Sequence, residues 1–347
     1  MNCYLSRNYK DLNGAGNKAK TDMEQIMAAM GFKNIGLKRT FYHNQIISFF
    51  LTLAGVIKAV CCLRKGNVLL LQYPLKKYFA FLCNAAHLKG CKVIILIHDL
   101  GSFRRKKLTI PQEIRRLNHA DYAIALNPSM QKWMKEHGCT MPTGSLGIWD
   151  YLSQSHCPSR IAAPISYKVV YAGALNRRKN AFLYQWGNYI KHYEVSLYGT
   201  EPDANSMAGK EHFNIKGFTQ FDRLIASADG HFGLVWDGDS IQTCSGNFGE
   251  YLQFNNPHKT SLYIRCGLPI IIWDKAALAP FILRHHIGFC ISDLKELDTK
   301  LNSLSSEEYL QMRANVLQMN NALSEGHYFR QAVSTALEAV KHTLPNV

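Results

Sequence analysis

Carboxylates are scarce in the first half of the chain, where residues 1–160 hold 8 Asp/Glu against 23 Lys/Arg, and nowhere do they cluster at metal-ligand spacing. The ten cysteines include the adjacent pair Cys61-Cys62 but no CxxC spacing, which argues against both a zinc knuckle and a disulfide framework. A reduced, cytoplasmic chain is the expectation. Charged residues amount to only 19% beside 47% hydrophobic ones, a balance that excludes disorder. Met1-Asn2-Cys3-Tyr4-Leu5 shows no basic region leading into an apolar stretch and cleavage site, so no signal peptide is expected. The most apolar run, Ile46 to Val60, is closed by Lys58, Arg64 and Lys65 before the ~20 residues a bilayer crossing needs. It reads as a buried helix, with a position lying on a membrane left open.

What is present is length and an uneven charge. A chain of 347 residues exceeds the size at which one core stops growing, so two domains are expected. The net charge of +15 resides wholly in residues 1–160, because residues 161–347 carry 17 Lys/Arg against 17 Asp/Glu. That asymmetry implies an anionic partner for the first half: a phospholipid surface, a nucleic acid or a phosphorylated acceptor.

Buried strands alternate with helical patterns along the chain. Cys3–Leu5, Val68–Tyr73, Val93–Ile97 and Tyr122–Leu126 read as strands of a first series, with helices at Thr21–Met30, Tyr78–Leu88 and Met130–His137. Between the first strand and the first helix lies a loop bearing Gly14 and Gly16; it lacks the full GxGxxG pattern and the Lys-Ser/Thr ending of a phosphate loop. The Pro- and Ser-bearing region Trp149 to Pro164 breaks the rhythm as a connection. A second series follows with strands at Tyr167–Gly173, Tyr193–Gly199, Phe232–Asp237, Pro269–Trp273 and Ile287–Ile291, then terminal helices Tyr309–Leu323 and His327–Thr343. The expected class is α/β: two Rossmann-like domains, each a mostly parallel sheet covered on both faces, with ligands at the strand C-terminal edges and a cleft between the two edges. Expected boundaries are 1–155, 165–326 and a terminal helix 327–347 that crosses back to the first domain; the terminal helices could equally brace the two domains or form a homo-oligomer surface.

The most informative stretch runs from Asn255 to Trp273. Asn255-Asn256-Pro257-His258-Lys259-Thr260-Ser261 is a polar turn entering a short helix, and Gly267-Leu268-Pro269 ends that helix before an apolar strand. Free amides and the dipole at such an end attract anions, and Lys259 adds a cation in the first turn, with Tyr263 on the same helix face. Arg177-Arg178-Lys179, following a strand and Gly173, can grip phosphate oxygens.

These motifs, with Asn13-Gly14-Ala15-Gly16-Asn17 and Tyr171-Ala172-Gly173-Ala174-Leu175, resemble the bacterial nucleotide-sugar glycosyltransferases that include the adhesin GlcNAc-extending glucosyltransferase and the β-1,6-galactofuranosyltransferases. The resemblance covers nearly the full chain. It implies two facing Rossmann-like domains of the GT-B type, the first presenting the acceptor and the second holding the nucleoside diphosphate. It also implies that Gly173 abuts the nucleotide, that Arg178 contacts phosphate, and that Asn255, Asn256, His258, Lys259 and Thr260 wrap the pyrophosphate and ribose. Gly16 would close over the donor from the first domain. Most relatives in the broader superfamily carry a glutamate pair along the diphosphate helix; here Lys259 and Tyr263 take that face, which weakens any transfer of retaining chemistry.

The function expected is transfer of a hexosyl group (glucose, galactose or galactofuranose) from a UDP-sugar to a glycan, glycoprotein or polyprenyl-diphosphate-linked acceptor, without a metal and by inverting displacement. Asp99, the first carboxylate after a buried strand in the acceptor half, is the candidate base, with His98 positioning it or touching the donor sugar. Asp11, Asp237 and Asp239 are alternatives for that role. Arg104-Arg105-Lys106-Lys107 could meet a polyprenyl diphosphate or anionic lipid, giving a peripheral position on the inner face of the membrane. An epimerase would need a clear dinucleotide loop and a Tyr-x-x-x-Lys couple, neither of which can be placed. A basic nucleic-acid-binding protein is the non-enzymatic alternative, disfavoured because the aromatics sit within apolar strands and helices.

Overall fold

In the computed structural model, residues 1–9, 15–75, 78–103, 107–158, 162–200 and 202–342 are described. Asp11, the Asn13-Gly14 part of the early loop and Arg104–Lys106 of the first basic patch lie outside them. The chain divides into two compact units, Met1–Asp150 with Gly326–Val347, and Tyr151–Glu325.

Unit 1 contains strands β1 (Asn2–Tyr4), β2 (Lys33–Asn34), β3 (Val68–Tyr73), β4 (Lys92–Ile97), β5 (Tyr122–Ala125) and β6 (Thr143–Ser145). Its helices are α1 (Ala15–Ala29), α2 (Gln45–Cys62), α3 (Phe79–Leu88), α4 (Ile110–Leu117) and α5 (Pro128–Glu136). All neighbours pair parallel in the order β2-β1-β3-β4-β5-β6. Every residue of β3 and all but the first of β4 are buried, which is why these strands read as continuous apolar runs rather than alternating ones. Helix starts follow local chemistry. The Asn127 side chain accepts from the Met130 amide at 2.8 Å with Pro128 entering α5, and Thr109 and Gln112 close a capping box on α4.

Unit 2 contains β7 (Lys168–Ala172), β8 (Glu194–Tyr198), β9 (Phe213–Gly217), β10 (Phe232–Val235), β11 (Ile270–Trp273) and β12 (Gly288–Ile291). With them are α6 (Leu183–Trp186), α7 (Phe221–Ser227), α8 (Gly246–Gly249), α9 (His258–Arg265), α10 (Ala279–Arg284), α11 (Leu297–Ser303) and α12 (Ser306–Glu325). Its sheet, again parallel, has the order β12-β11-β10-β7-β8-β9. The last helix, α13 (His327–His342), returns to unit 1 and packs on α1, β5 and β6, whereas α12 packs on α9. Two six-stranded parallel sheets with covering helices make this a chain of two Rossmann-like units.

In each unit the chain winds outward from its first strand and then returns to that strand's other side. The topological switch points therefore fall between β1 and β3 and between β7 and β10, where such sheets bind ligands.

Two sequence expectations are corrected. Helix α1 starts at Ala15 rather than Thr21, because Ala19, Met23, Ile26 and Met27 share one buried face and Lys18 pairs with Asp22 at 2.5 Å one turn on. Helix α2 exists but is not buried: only Gly55, Val56 and Ala59 of its eighteen residues are. Small residues let the helix approach Leu37 closely, so its bulky side chains are left on the outer face.

Candidate active site

At the switch point of unit 2, β7 ends at Ala172 and the next residue, Gly173, has φ +155°, a conformation that disfavours any side chain. Its amide donates to the Tyr198 carbonyl at 2.9 Å. Lys259, in the first turn of α9, sends its Nζ under this glycine. There it donates to Asp237 Oδ1 at 2.7 Å, to the Tyr171 hydroxyl at 3.2 Å and to the Trp236 carbonyl at 3.3 Å. The Tyr171 hydroxyl in turn donates to Asp237 Oδ1 at 3.0 Å, and burial, then the Asp237 charge, pushes its pKa well above the ordinary phenol value. Lys259 is thus a fixed, ion-paired cation, not the mobile point charge that its sequence position suggested. All three of its N–H groups have partners, and the longer two bonds are those most easily exchanged.

Around the start of α9 the polar groups are incompletely satisfied. Pro257 stands at the cap position and supplies no side-chain acceptor to the first turn. Thr260 is fully buried, and its Oγ1, like Asn255 Oδ1, has no hydrogen-bond partner among the described residues. Buried orphan oxygens cost free energy and are rare in native proteins, so two beside one helix end mark a place where a ligand or water completes the bonding. Asn256 is buried, and the His258 ring stacks on Tyr151 with centroids 4.7 Å apart. Arg178 is exposed in the loop after β7, flanked by Arg177 over the Tyr184 ring and Lys179 near Phe248.

Gly173 and Lys259 are therefore brought together, with Asn255, Asn256, His258 and Thr260 at the start of the same helix. Gly16, His98 and Asp99 belong to unit 1, where Gly16 is exposed in the first turn of α1. Sequence reasoning missed the roles of Tyr171 and Tyr263, and it offered Asp237 as a base, whereas Asp237 is engaged by Lys259 and Tyr171. Tyr263, one turn on from Lys259, is fully buried, and its hydroxyl accepts from the Ala172 amide at 2.8 Å, tying α9 to the end of β7. The readable signal was Gly233 inside β10: the Tyr263 ring lies directly over it, where no Cβ would fit.

In unit 1, His98 and Asp99 follow β4. The His98 amide donates to the Tyr73 carbonyl at 2.9 Å, and its ring stacks on Trp149 with centroids 4.7 Å apart. Gln72 donates its amide nitrogen to the Lys20 carbonyl at 3.2 Å, which turns its Oε1 toward His98 Nε2 at 2.7 Å. His98 therefore carries its proton on Nε2. The segment after Asp99 is pinned by Glu113, a fully buried carboxylate that accepts from the amides of Gly101 and Ser102, each at 2.7 Å, and from the Tyr73 hydroxyl at 2.9 Å. Gln72, Trp149 and Glu113 were not singled out in the sequence. Among the described residues, no three His, Cys, Asp or Glu side chains group as a metal ligand set.

Two Rossmann-like units, each a six-stranded parallel sheet with its switch point beside the first strand, make the architecture of the GT-B glycosyltransferases. The apo lipopolysaccharide outer core galactosyltransferase WaaB shares this fold, with a TM-score of 0.60 over 97% of this chain and all of that one at 11% identity. The chain belongs to the glucosyltransferase 3-like family, matching its N-terminal domain over residues 2–148 and its C-terminal domain over residues 169–336. It is similar to the β-1,6-galactofuranosyltransferase WbbI of Escherichia coli (strain K12), 32% identical over 94% of this chain and 96% of that one. It is also similar to glucosyltransferase 3 of Streptococcus parasanguinis, 21% identical over 97% and 98%. The chain is an enzyme of the hexosyltransferase class, and the non-enzymatic nucleic-acid reading falls.

Proposed function

We propose that the protein transfers a hexosyl group, glucose, galactose or galactofuranose, from a UDP-sugar to a glycan, glycoprotein or lipid-linked acceptor by inverting displacement without a divalent cation. The observation that carries the donor assignment is the pair of orphan oxygens on Asn255 and Thr260 beside the Lys259–Asp237–Tyr171 cluster. Asn255, Asn256, His258 and Thr260 bind ribose and diphosphate, Gly173 admits the diphosphate because it has no side chain, and Arg178 closes on a phosphate oxygen. Lys259 keeps Asp237 and exchanges its bond to Tyr171 or Trp236 for the diphosphate, neutralising charge as the leaving group departs. Gly16 closes over the donor.

In the reaction, the acceptor hydroxyl oxygen attacks the anomeric carbon, the bond from that carbon to the diphosphate oxygen breaks with its electrons going to the diphosphate, and Asp99 takes the hydroxyl proton. His98, held by Gln72 and Trp149, orients the sugar. The 32% identity to a galactofuranosyltransferase supports a galactose-derived donor ahead of glucose. A cytoplasmic enzyme fits a nucleotide-sugar donor.

A thermal-shift screen of UDP, GDP, ADP and their sugars, repeated with EDTA, tests this reading. A rise in Tm with UDP that EDTA leaves untouched is the expected result, and Lys259→Ala should cut UDP affinity about 100-fold with an otherwise cooperative melt. Unchanged UDP affinity in that variant would remove Lys259 from the donor site.

A further inference from the structure

Among the described residues, helix α2 carries the densest group of exposed large apolar side chains. Ile46, Ile47, Phe49, Phe50 and Ile57 are all exposed, Phe50 to 60% and Ile46 to 68%. At 100° per residue, Ile46, Phe50 and Ile57 stand on one stripe, and the buried Gly55 and Ala59 lie on the opposite one. The helix is firmly seated. Asn44 caps it through the Ile46 amide at 2.8 Å, Lys58 donates to the Gly36 carbonyl at 2.9 Å, and its inner face meets Leu37 and α3. It is long and apolar enough to cross a membrane by length and composition, yet that inner face is held by protein, so it is placed to lie on a bilayer with its outer face immersed.

Charge decides what covers that face. No Asp or Glu occurs between Glu24 and Asp99, while ten Lys/Arg do. Lys38 before the helix and Arg64 and Lys65 directly after it in the chain are all exposed. A second copy would bring the same acid-free, cation-bearing segment against itself. An anionic bilayer supplies both the apolar interior for the stripe and negative headgroups for the flanks.

The location of α2 adds a functional reason. As the crossover between the parallel strands of unit 1, it begins at their C-terminal edge. The segment leading into it is bound there, with Asn8 Nδ2 donating to the Tyr42 carbonyl and the Tyr42 amide donating to Asn8 Oδ1, both at 2.8 Å. The exposed residues of its first two turns therefore lie on the edge of the sheet that also carries His98 and Asp99.

We infer that α2 docks unit 1 onto an anionic phospholipid bilayer by inserting the Ile46, Phe50 and Ile57 stripe, with Lys38, Arg64 and Lys65 on the headgroups. The inference deepens the proposed transfer reaction by assigning a surface where the acceptor is met, but the docking itself does not depend on that reaction.

Flotation of the full chain with phosphatidylcholine vesicles, with and without phosphatidylglycerol, tests it. The wild type should float with the phosphatidylglycerol vesicles, and Ile46→Ser/Phe50→Ser should lower the partition at least about tenfold. Raising salt should release the wild type in part. The same samples are assayed for the UDP-dependent rise in Tm, whose site is in unit 2; retention of that rise in the variant shows it is folded, and its absence from both proteins would fail the donor reading alone. Equal flotation of variant and wild type overturns the docking inference. So does a wild-type dimer in sedimentation velocity that ignores vesicles and is dissociated by the double substitution.

Discussion

After its first strand, unit 2 places Gly173, with a lysine–aspartate pair beneath it, whereas unit 1 places Leu5, Ser6 and Arg7, whose guanidinium donates to the Pro74 carbonyl at 3.0 Å. Both sheets are six-stranded and parallel and both have their switch point beside that first strand, but beyond it unit 2 leaves a bare glycine where unit 1 ties its chain to the end of β3 through Arg7. In unit 1 the proposed catalytic pair stands at the end of β4, where His98 bonds Gln72 and stacks on Trp149. Under the proposed division of labour the two units differ in the first residues beyond their strands and not in their sheets. The charge follows the same division, with the basic excess confined to the half that contains Asp99.

The sharpest way to break the comparison is Asp99→Asn. If unit 1 supplies the base and unit 2 the donor site, kcat should fall by about 10²–10⁴ while UDP affinity stays within a factor of two or so. A loss below tenfold would move the base elsewhere.

The junction Asp150–Tyr151 offers the next contrast, since each unit secures its own side with a different kind of charge. On the unit 2 side, buried Arg265 donates to the carbonyls of Ser153 at 3.0 Å and Ser155 at 3.1 Å and is also bonded to Asn320. Arg265→Leu strands those carbonyls and should lower the unfolding free energy by about 2–4 kcal/mol in a urea titration. An unchanged midpoint would show that water replaces the guanidinium.

On the unit 1 side the anchor is titratable. Asp150 is fully buried and accepts from the amides of Phe329 at 2.7 Å and Tyr328 at 3.2 Å at the start of α13. Burial raises its pKa from 3.8 to about 7 against the opposing pull of those amides. Because the folded state holds the proton more tightly, the stability this group contributes is full below pH 3.8 and is lost as pH rises through about 7. The wild type should lose stability across that window with a slope approaching about 1.4 kcal/mol per pH unit, and Asp150→Asn should flatten it. Identical slopes in the two proteins would reject the raised pKa.

The smallest expected effect sharpens the donor side. Tyr263→Phe removes only the acceptor for the Ala172 amide, so a loss of about 1 kcal/mol in stability and a few-fold loss in UDP affinity are expected. A larger loss in affinity than in stability would show that Tyr263 sets the position of Gly173.

The sequence by itself determined the two α/β series, most strand positions and the helix start at Asn255–Thr260, because these rest on short-range patterns: apolar runs, caps, and the proline and glycine that bound α9. The short edge strands β2, β6 and β9 had no such pattern, being two to five residues long and largely unburied, and they exist through their pairing partners. Only the tertiary structure decided that Lys259 is paired to Asp237, that Tyr263 turns inward over Gly233, and that α2 shows its apolar side to the outside. Each of these depends on what another segment, well removed along the chain, brings to the same place. Periodicity says how a helix is striped, but which stripe is covered is fixed by its neighbours.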